Sequence, residues 1–251
     1  MTRALLTSGL FALTLSLGLV ACSGNGQDAV PAEGQETIQP ATPETSASSD
    51  AHPEDDVTKA RANGFITENL PPPASAVVED GDVPRDDYGR PYQYEMLGQT
   101  LPEFEILSAE GEVLTREDIT GEWKIVEVWG IWCPDCVADG PNVQALSEKL
   151  ADEEGISLLT VHTPPSPERQ DEAFGKYGSV DAYFTAKGFD YPYAIDRDAS
   201  FKSDLELPWV PSYLLVDPDG VIRGYRSELS AAGDGAVDAF IEDVKDVMSE
   251  G

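Results

Sequence analysis

Apolar and polar positions alternate with two different periods along the C-terminal part of this chain. Lys124-Ile125-Val126-Glu127-Val128-Trp129 and residues 156–162 are nearly unbroken apolar runs, the pattern of buried strands. Between them Val137, Leu146 and Leu150 share one helical face, which predicts a helix ending near Glu153. Pro141 is expected to kink it, because proline removes a backbone donor. Upstream, residues 101–107 alternate as a strand, residues 108–112 turn into Val113-Leu114, and Thr115 caps a short helix through Ile119. Downstream, residues 168–187, broken near Gly178-Ser179, predict one or two helices, residues 191–195 a strand and residues 199–205 a short helix. Residues 212–216 and 221–225 read as a hairpin around Asp217-Pro218-Asp219-Gly220, and Val237, Phe240, Ile241, Val244 and Met248 mark a last helix. This order of elements predicts an α/β fold, a central mixed sheet with helices on both faces.

The N-terminal part has neither period. Met1-Thr2-Arg3 followed by an apolar run from Leu10 to Val20 has the layout of a secretory signal, residues 1–21. Its junction, Leu19-Val20-Ala21-Cys22, resembles the bacterial lipoprotein box, which implies that Cys22 is lipidated and becomes the first mature residue. Residues 22–90 are acidic and rich in Pro, Ser and Ala, including Pro71-Pro72-Pro73, and read as a flexible tether. An open alternative is that Phe65-Ile66 and Val77-Val78 dock on the domain as short strands. The folded domain is expected over residues 91–251. Ser23 lacks the aspartate that commonly marks inner-membrane retention, so a periplasmic domain lipid-anchored to either the inner or the outer membrane is expected.

Composition adds one strong bound. Forty-seven acidic against 16 basic residues give a formal net charge of −31, which argues against nucleic acid and against electrostatic docking on anionic lipid. At most the charge favours basic partner surfaces.

The chemistry concentrates in Trp132-Cys133-Pro134-Asp135-Cys136, which holds two of the three cysteines at C-x-x-C spacing where a strand gives way to a helix. Free N–H groups and the dipole of a helix N-terminus favour a thiolate, so Cys133 is the expected nucleophile and Cys136, one turn on, its resolving partner. A zinc knuckle needs four ligands, and only Cys22, His52 and His162 remain, at no recognisable spacing. An inert buried pair is the other competitor. Asp135 disfavours a thiolate at Cys133 and so points to a reducing couple.

Four stretches together resemble membrane-tethered thioredoxin-like proteins of the TlpA and ResA type: residues 97–104, residues 128–136, Tyr191-Pro192-Tyr193-Ala194-Ile195-Asp196, and residues 210–220. The resemblance implies a thioredoxin-like fold. It implies that Pro211 is a cis-proline facing the disulfide, that Val210 pairs its backbone with an extended substrate, and that Trp132 is an aromatic contact beside the disulfide. Trp209 stands where the family usually has a small residue, and either narrows the groove or packs. Glu127 matches the buried carboxylate beneath the disulfide, whose pKa burial would raise, and Asp139 falls where the ResA type has an active-site glutamate; both are candidates to move the Cys136 proton. His162 is read as a structural histidine near the groove.

The implied activity is thiol-disulfide exchange, reducing exported protein disulfides without a metal or other cofactor, with a membrane thiol donor of the CcdA or DsbD kind. Cytochrome c maturation is a typical setting of such relatives. The competing readings are a disulfide oxidase or isomerase and a Cu(I)-handling module.

Overall fold

The computed structural model describes residues 64–78 and 83–250. The signal segment, Cys22, His52 and most of the proposed tether lie outside these residues. Seven strands form one sheet in the order β2-β1-β5-β4-β3-β6-β7. They are β1 (Ile106–Ser108), β2 (Val113–Leu114), β3 (Trp123–Trp129), β4 (Ile156–His162), β5 (Tyr193–Ile195), β6 (Ser212–Val216) and β7 (Ile222–Arg226). The pairs β3–β4 and β4–β5 are parallel, and all other neighbours are antiparallel. This is the mixed sheet expected of a thioredoxin-like fold.

Period-2 alternation divides β3 between two cores. Ile125 and Trp129 join one, under α2 (Pro134–Leu150), α3 (Val180–Lys187) and α5 (Ala236–Glu250). Val126 and Val128 join the other, with Ile119 of α1 (Arg116–Ile119), Phe201 of α4 (Ser200–Asp204) and the extended chain around Tyr94, Leu101 and Phe104. Glu127 therefore faces α2. Register places Tyr213 and Thr160 directly beside it on the neighbouring strands.

Local chemistry sets the helix ends. Thr115 and Asp118 form a capping box on α1. The Ser179 side chain accepts from Ala182 N, and Gly188 closes α3 at φ 75°. Pro134 opens α2 at N1, where no N–H is missed. The same helix continues through Pro141 to Leu150 as one element, three residues short of the expected end.

Two departures from the sequence reading have physical causes. Strand β1 begins only at Ile106, because the preceding chain pairs elsewhere: Leu101 N donates to Gly220 O at 2.8 Å and Thr100 bridges Val221. The packed chain also reaches back to Gly64, well before residue 91. Ile66 exchanges two backbone hydrogen bonds with Tyr225, at 2.8 and 2.9 Å, extending the sheet past β7. Phe65 drops into one core, edge-on to Phe240 at 5.7 Å, while Ile66 enters the other. Gly224 makes this possible, since a Cβ there would collide with the Phe65 ring. Two apolar side chains in a polar stretch thus close both cores at once, each burial contributing about 1.5–3 kcal/mol. Val77 pairs with Arg85 through two bonds but stays exposed. No helix among the described residues is long and apolar enough to cross a membrane.

Candidate active site

Cys133 is the N-cap of α2, at φ −92° and ψ 120°. Both motif cysteines are free thiols. Cys133 Sγ donates to the carbonyl of Val210 at 3.4 Å, and the Val210–Pro211 peptide is cis. The loop before β6 therefore lies against the nucleophile's sulfur, as the family resemblance implies.

The two thiols are tuned apart. The Cys136 thiol donates to Cys133 sulfur, and with the backbone N–H groups of Cys136 and Asp135 it lowers the Cys133 pKa to about 7 against burial and the Asp135 charge. Burial first, then the Cys133 sulfur, and finally the Glu127 carboxyl, push Cys136 well above the ordinary thiol range. One thiol thus ionises readily near neutral pH while the other holds its proton.

Beneath Cys136 lies a line of three side chains. Glu127 is buried, and among the described residues its Oε2 has no hydrogen-bond partner. Burial, reinforced by Asp139, raises its pKa well above the usual carboxylate range; contact with Tyr213 works the other way. Tyr213 Oη lies 3.5 Å from Glu127 Oε1 and donates to Asp139 Oδ2 at 2.7 Å. Asp139 also accepts from Leu229 N at 2.8 Å, Ser230 N at 2.7 Å and Asn142 Nδ2 at 3.1 Å. It is fully engaged in tying α2 to β6 and to the turn after β7. The sequence reading offered Asp139 as a proton carrier. Its four partners make it an anchor between α2, β6 and the turn after β7.

On the other side, the motif loop is held from β4. Ile131 N donates to His162 Nε2 at 3.3 Å, and the imidazole sits edge-on to Trp129 and stacked on Phe174 at 5.0 Å. Burial lowers the His162 pKa to about 4, so it stays a neutral acceptor at neutral pH. Trp132 Nε1 donates to Thr163 O at 2.7 Å, and a side chain at Gly130 would strike the indole. Trp132 is half-buried beside the thiols, whereas the Trp209 ring packs against the turn at Gly89.

The structure thus brings Cys133, Cys136, Glu127, Asp139, Trp132, Val210 and Pro211 to one edge of the sheet. Tyr213 was missed by the sequence reading. Its only signal is its place two residues after Pro211, and only strand register sets it opposite Glu127. Thr163 and Lys202, which reach Trp132 from the loop after β4 and from α4, carry no local motif, and Asp196 stands out only as the last residue of the 191–196 stretch.

Residues 96–236 match the Redoxin family. The chain belongs to that family. Among related Redoxin and thioredoxin-like proteins, it is 25% identical over 126 residues to the thioredoxin-like protein YneN of Bacillus subtilis, covering 50% of this chain and 68% of that one. It is 25% identical to the thiol-disulfide oxidoreductase ResA of Bacillus anthracis, covering 50% and 66%. To the thiol:disulfide interchange protein DsbE of Pseudomonas aeruginosa it is 26% identical over 133 residues, covering 51% and 64%. The matched region is about two thirds of the length of these relatives. Among solved structures, the exposed lipoprotein thioredoxin of Streptococcus pneumoniae superposes with TM-score 0.43 at 20% identity, over 58% of this chain and 99% of that one. StoA of Bacillus subtilis gives 0.41 at 20% identity, over 51% and 89%.

Proposed function

We propose that this thiol-disulfide oxidoreductase of the ResA and DsbE type is an exported, membrane-anchored protein that reduces protein disulfides through Cys133 and Cys136. The observation that carries the reading is the asymmetry of the pair: a Cys133 pKa near about 7 against a Cys136 thiol held high by burial. A nucleophile of that acidity belongs with thioredoxin, at about 7, and not with the strong oxidase DsbA, at about 3.5, whose stabilised thiolate makes it an oxidant.

An extended substrate strand lies along Val210-Pro211 with Trp132 beside it. The Cys133 thiolate attacks one sulfur of the substrate disulfide, forming a mixed disulfide and releasing the other substrate sulfur as a thiolate. Ionised Glu127 takes the proton of Cys136, whose thiolate then attacks Cys133 Sγ. That step forms the Cys133–Cys136 disulfide and releases the second substrate thiolate. Two electrons have passed to the substrate. A membrane thiol donor of the CcdA or DsbD kind restores the dithiol, and no metal or other cofactor takes part. Cys22 supplies the lipid anchor in the periplasm, and apocytochrome cysteines awaiting haem are a fitting substrate.

The test is a Cys136→Ser variant of the full chain, reduced and mixed with a disulfide-bonded protein. The proposal expects a mixed disulfide accumulating at Cys133. Absence of a mixed disulfide at Cys133 would reject it.

A further inference from the structure

The dithiol is surrounded by acids. Asp135 lies in the motif, Glu127 and Asp139 lie beneath it, Glu228 lies near Asp135, and Asp196 lies beyond Trp132. Arg226 faces Asp139 and Arg90 faces Glu228, while the cation beside Trp132 and Asp196 is on α4. Asp196 seats that helix, its Oδ2 accepting from Thr163 Oγ1 at 2.9 Å and from Lys202 N at 3.2 Å. Phe201 turns inward, edge-on to Phe104 at 4.7 Å, so the next residue turns to the active-site edge. There Lys202 Nζ donates to Pro165 O at 2.8 Å and stands 5.5 Å from the ring centroid of Trp132, which is itself pinned to Thr163.

We infer that Lys202 is a positioning residue for the thiol chemistry: its ammonium, held over Trp132 by the Pro165 carbonyl, favours the thiolate of Cys133 against the surrounding carboxyls. Burial lowers the lysine's own pKa, while Asp196, then Cys136 and Cys133, favour its charged form. Such coupling is reciprocal, so what the thiolate does for the ammonium the ammonium does for the thiolate. Across roughly 10 Å at an effective dielectric of about 20 one unit charge shifts a pKa by about one unit, and salt screening over a Debye length leaves about half a unit. His162 is neutral across this range, and Tyr183 and Tyr191, whose pKa values burial raises, keep their protons throughout it.

The inference rests on Cys133 being the nucleophile. The experiment is iodoacetamide alkylation of the reduced full chain from pH 5 to 9, read on the Cys133 peptide by mass spectrometry, in wild type, Lys202→Met and Lys202→Arg. The expected result is an apparent Cys133 pKa raised by about half a unit in Lys202→Met, with alkylation at pH 6 slowed about threefold, and a wild-type profile in Lys202→Arg. A Lys202→Met profile that overlays an acidic wild-type one overturns the role of Lys202 alone. A wild-type Cys133 with ordinary thiol acidity overturns the proposed function as well. In unmutated protein, the Lys202 ammonium followed by NMR should titrate higher with the dithiol reduced than with the disulfide formed; equal values overturn the inference.

Discussion

Tyr213 donates its hydroxyl to Asp139 at 2.7 Å while its oxygen lies 3.5 Å from Glu127. A phenol has one hydrogen to give, and Asp139, with three N–H donors besides, is the better-supplied acceptor. Glu127, with one long contact and an orphaned oxygen, is the carboxyl whose pKa burial raises. The pair divides its labour by hydrogen-bond supply. Asp139 anchors, and in the proposed mechanism Glu127 exchanges the proton.

Removing Asp139 should therefore act on both. Asp139→Ala leaves the buried N–H groups of Leu229 and Ser230 without their acceptor and should cost about 3 kcal/mol or more in urea denaturation. Asp139→Asn should fold with a smaller loss and lower the Glu127 pKa, since a like charge is gone. A carboxyl infrared band titrating at lower pH in Asp139→Asn checks this.

Glu127→Gln should trade turnover for stability. The folded pKa of Glu127 is raised, so its contribution to stability is full below the unfolded carboxylate pKa of about 4.5 and is lost as pH rises through the folded value. The variant should match wild type at pH 4 and melt higher at pH 8, each kcal/mol appearing as about 2–4 °C in a domain of this size. Resolution of a preformed mixed disulfide at pH 7 to 8 should slow about tenfold or more, within the usual range for a lost general base.

His162 gives the opposite sign. Its folded pKa of about 4 lies below the unfolded value of about 6.5, so the stability it contributes is complete above pH 6.5 and falls away towards pH 4. The loss is up to roughly 3 kcal/mol. Denaturation curves of wild type and His162→Asn should converge as pH falls through that window.

The fold and the reacting thiols were legible because they rest on local signals: buried apolar runs, a helix start at Pro134, and C-x-x-C spacing at the junction. Glu127 was legible as a buried acid only through the family resemblance, and the alternation of β3 seen in the structure places it between Ile125 and Trp129. What the sequence hid is set by contacts between distant residues. Asp139 is neighbours with Leu229 and Ser230 only after the last strand has returned beside α2, so its anchoring bonds have no local trace. Phe65 and Ile66 stand in a stretch whose average composition reads as tether; their docking as a short strand was the alternative the sequence left open, and the structure bears it out, but the notch at Gly224 that seats Phe65 has no local trace. The expected lipidation of Cys22 falls outside the described residues and rests on its junction motif.

That notch yields a test of the boundary. Phe65→Ala should cost about 3 kcal/mol, the usual range for emptying a buried phenylalanine site, with the midpoint of denaturation falling at unchanged slope. A construction starting at residue 91 should lose at least as much, since it also uncovers the Tyr225 backbone.

The reduction potential of the Cys133–Cys136 pair tests the central claim most directly, by equilibrating the protein with glutathione and dithiothreitol buffers and counting free thiols. A Cys133 pKa near about 7 and the acids around it predict a value at or below about −220 mV, in the range of glutaredoxins and thioredoxin. A value near about −120 mV, that of DsbA, would contradict the reducing role and make the protein a donor of disulfides.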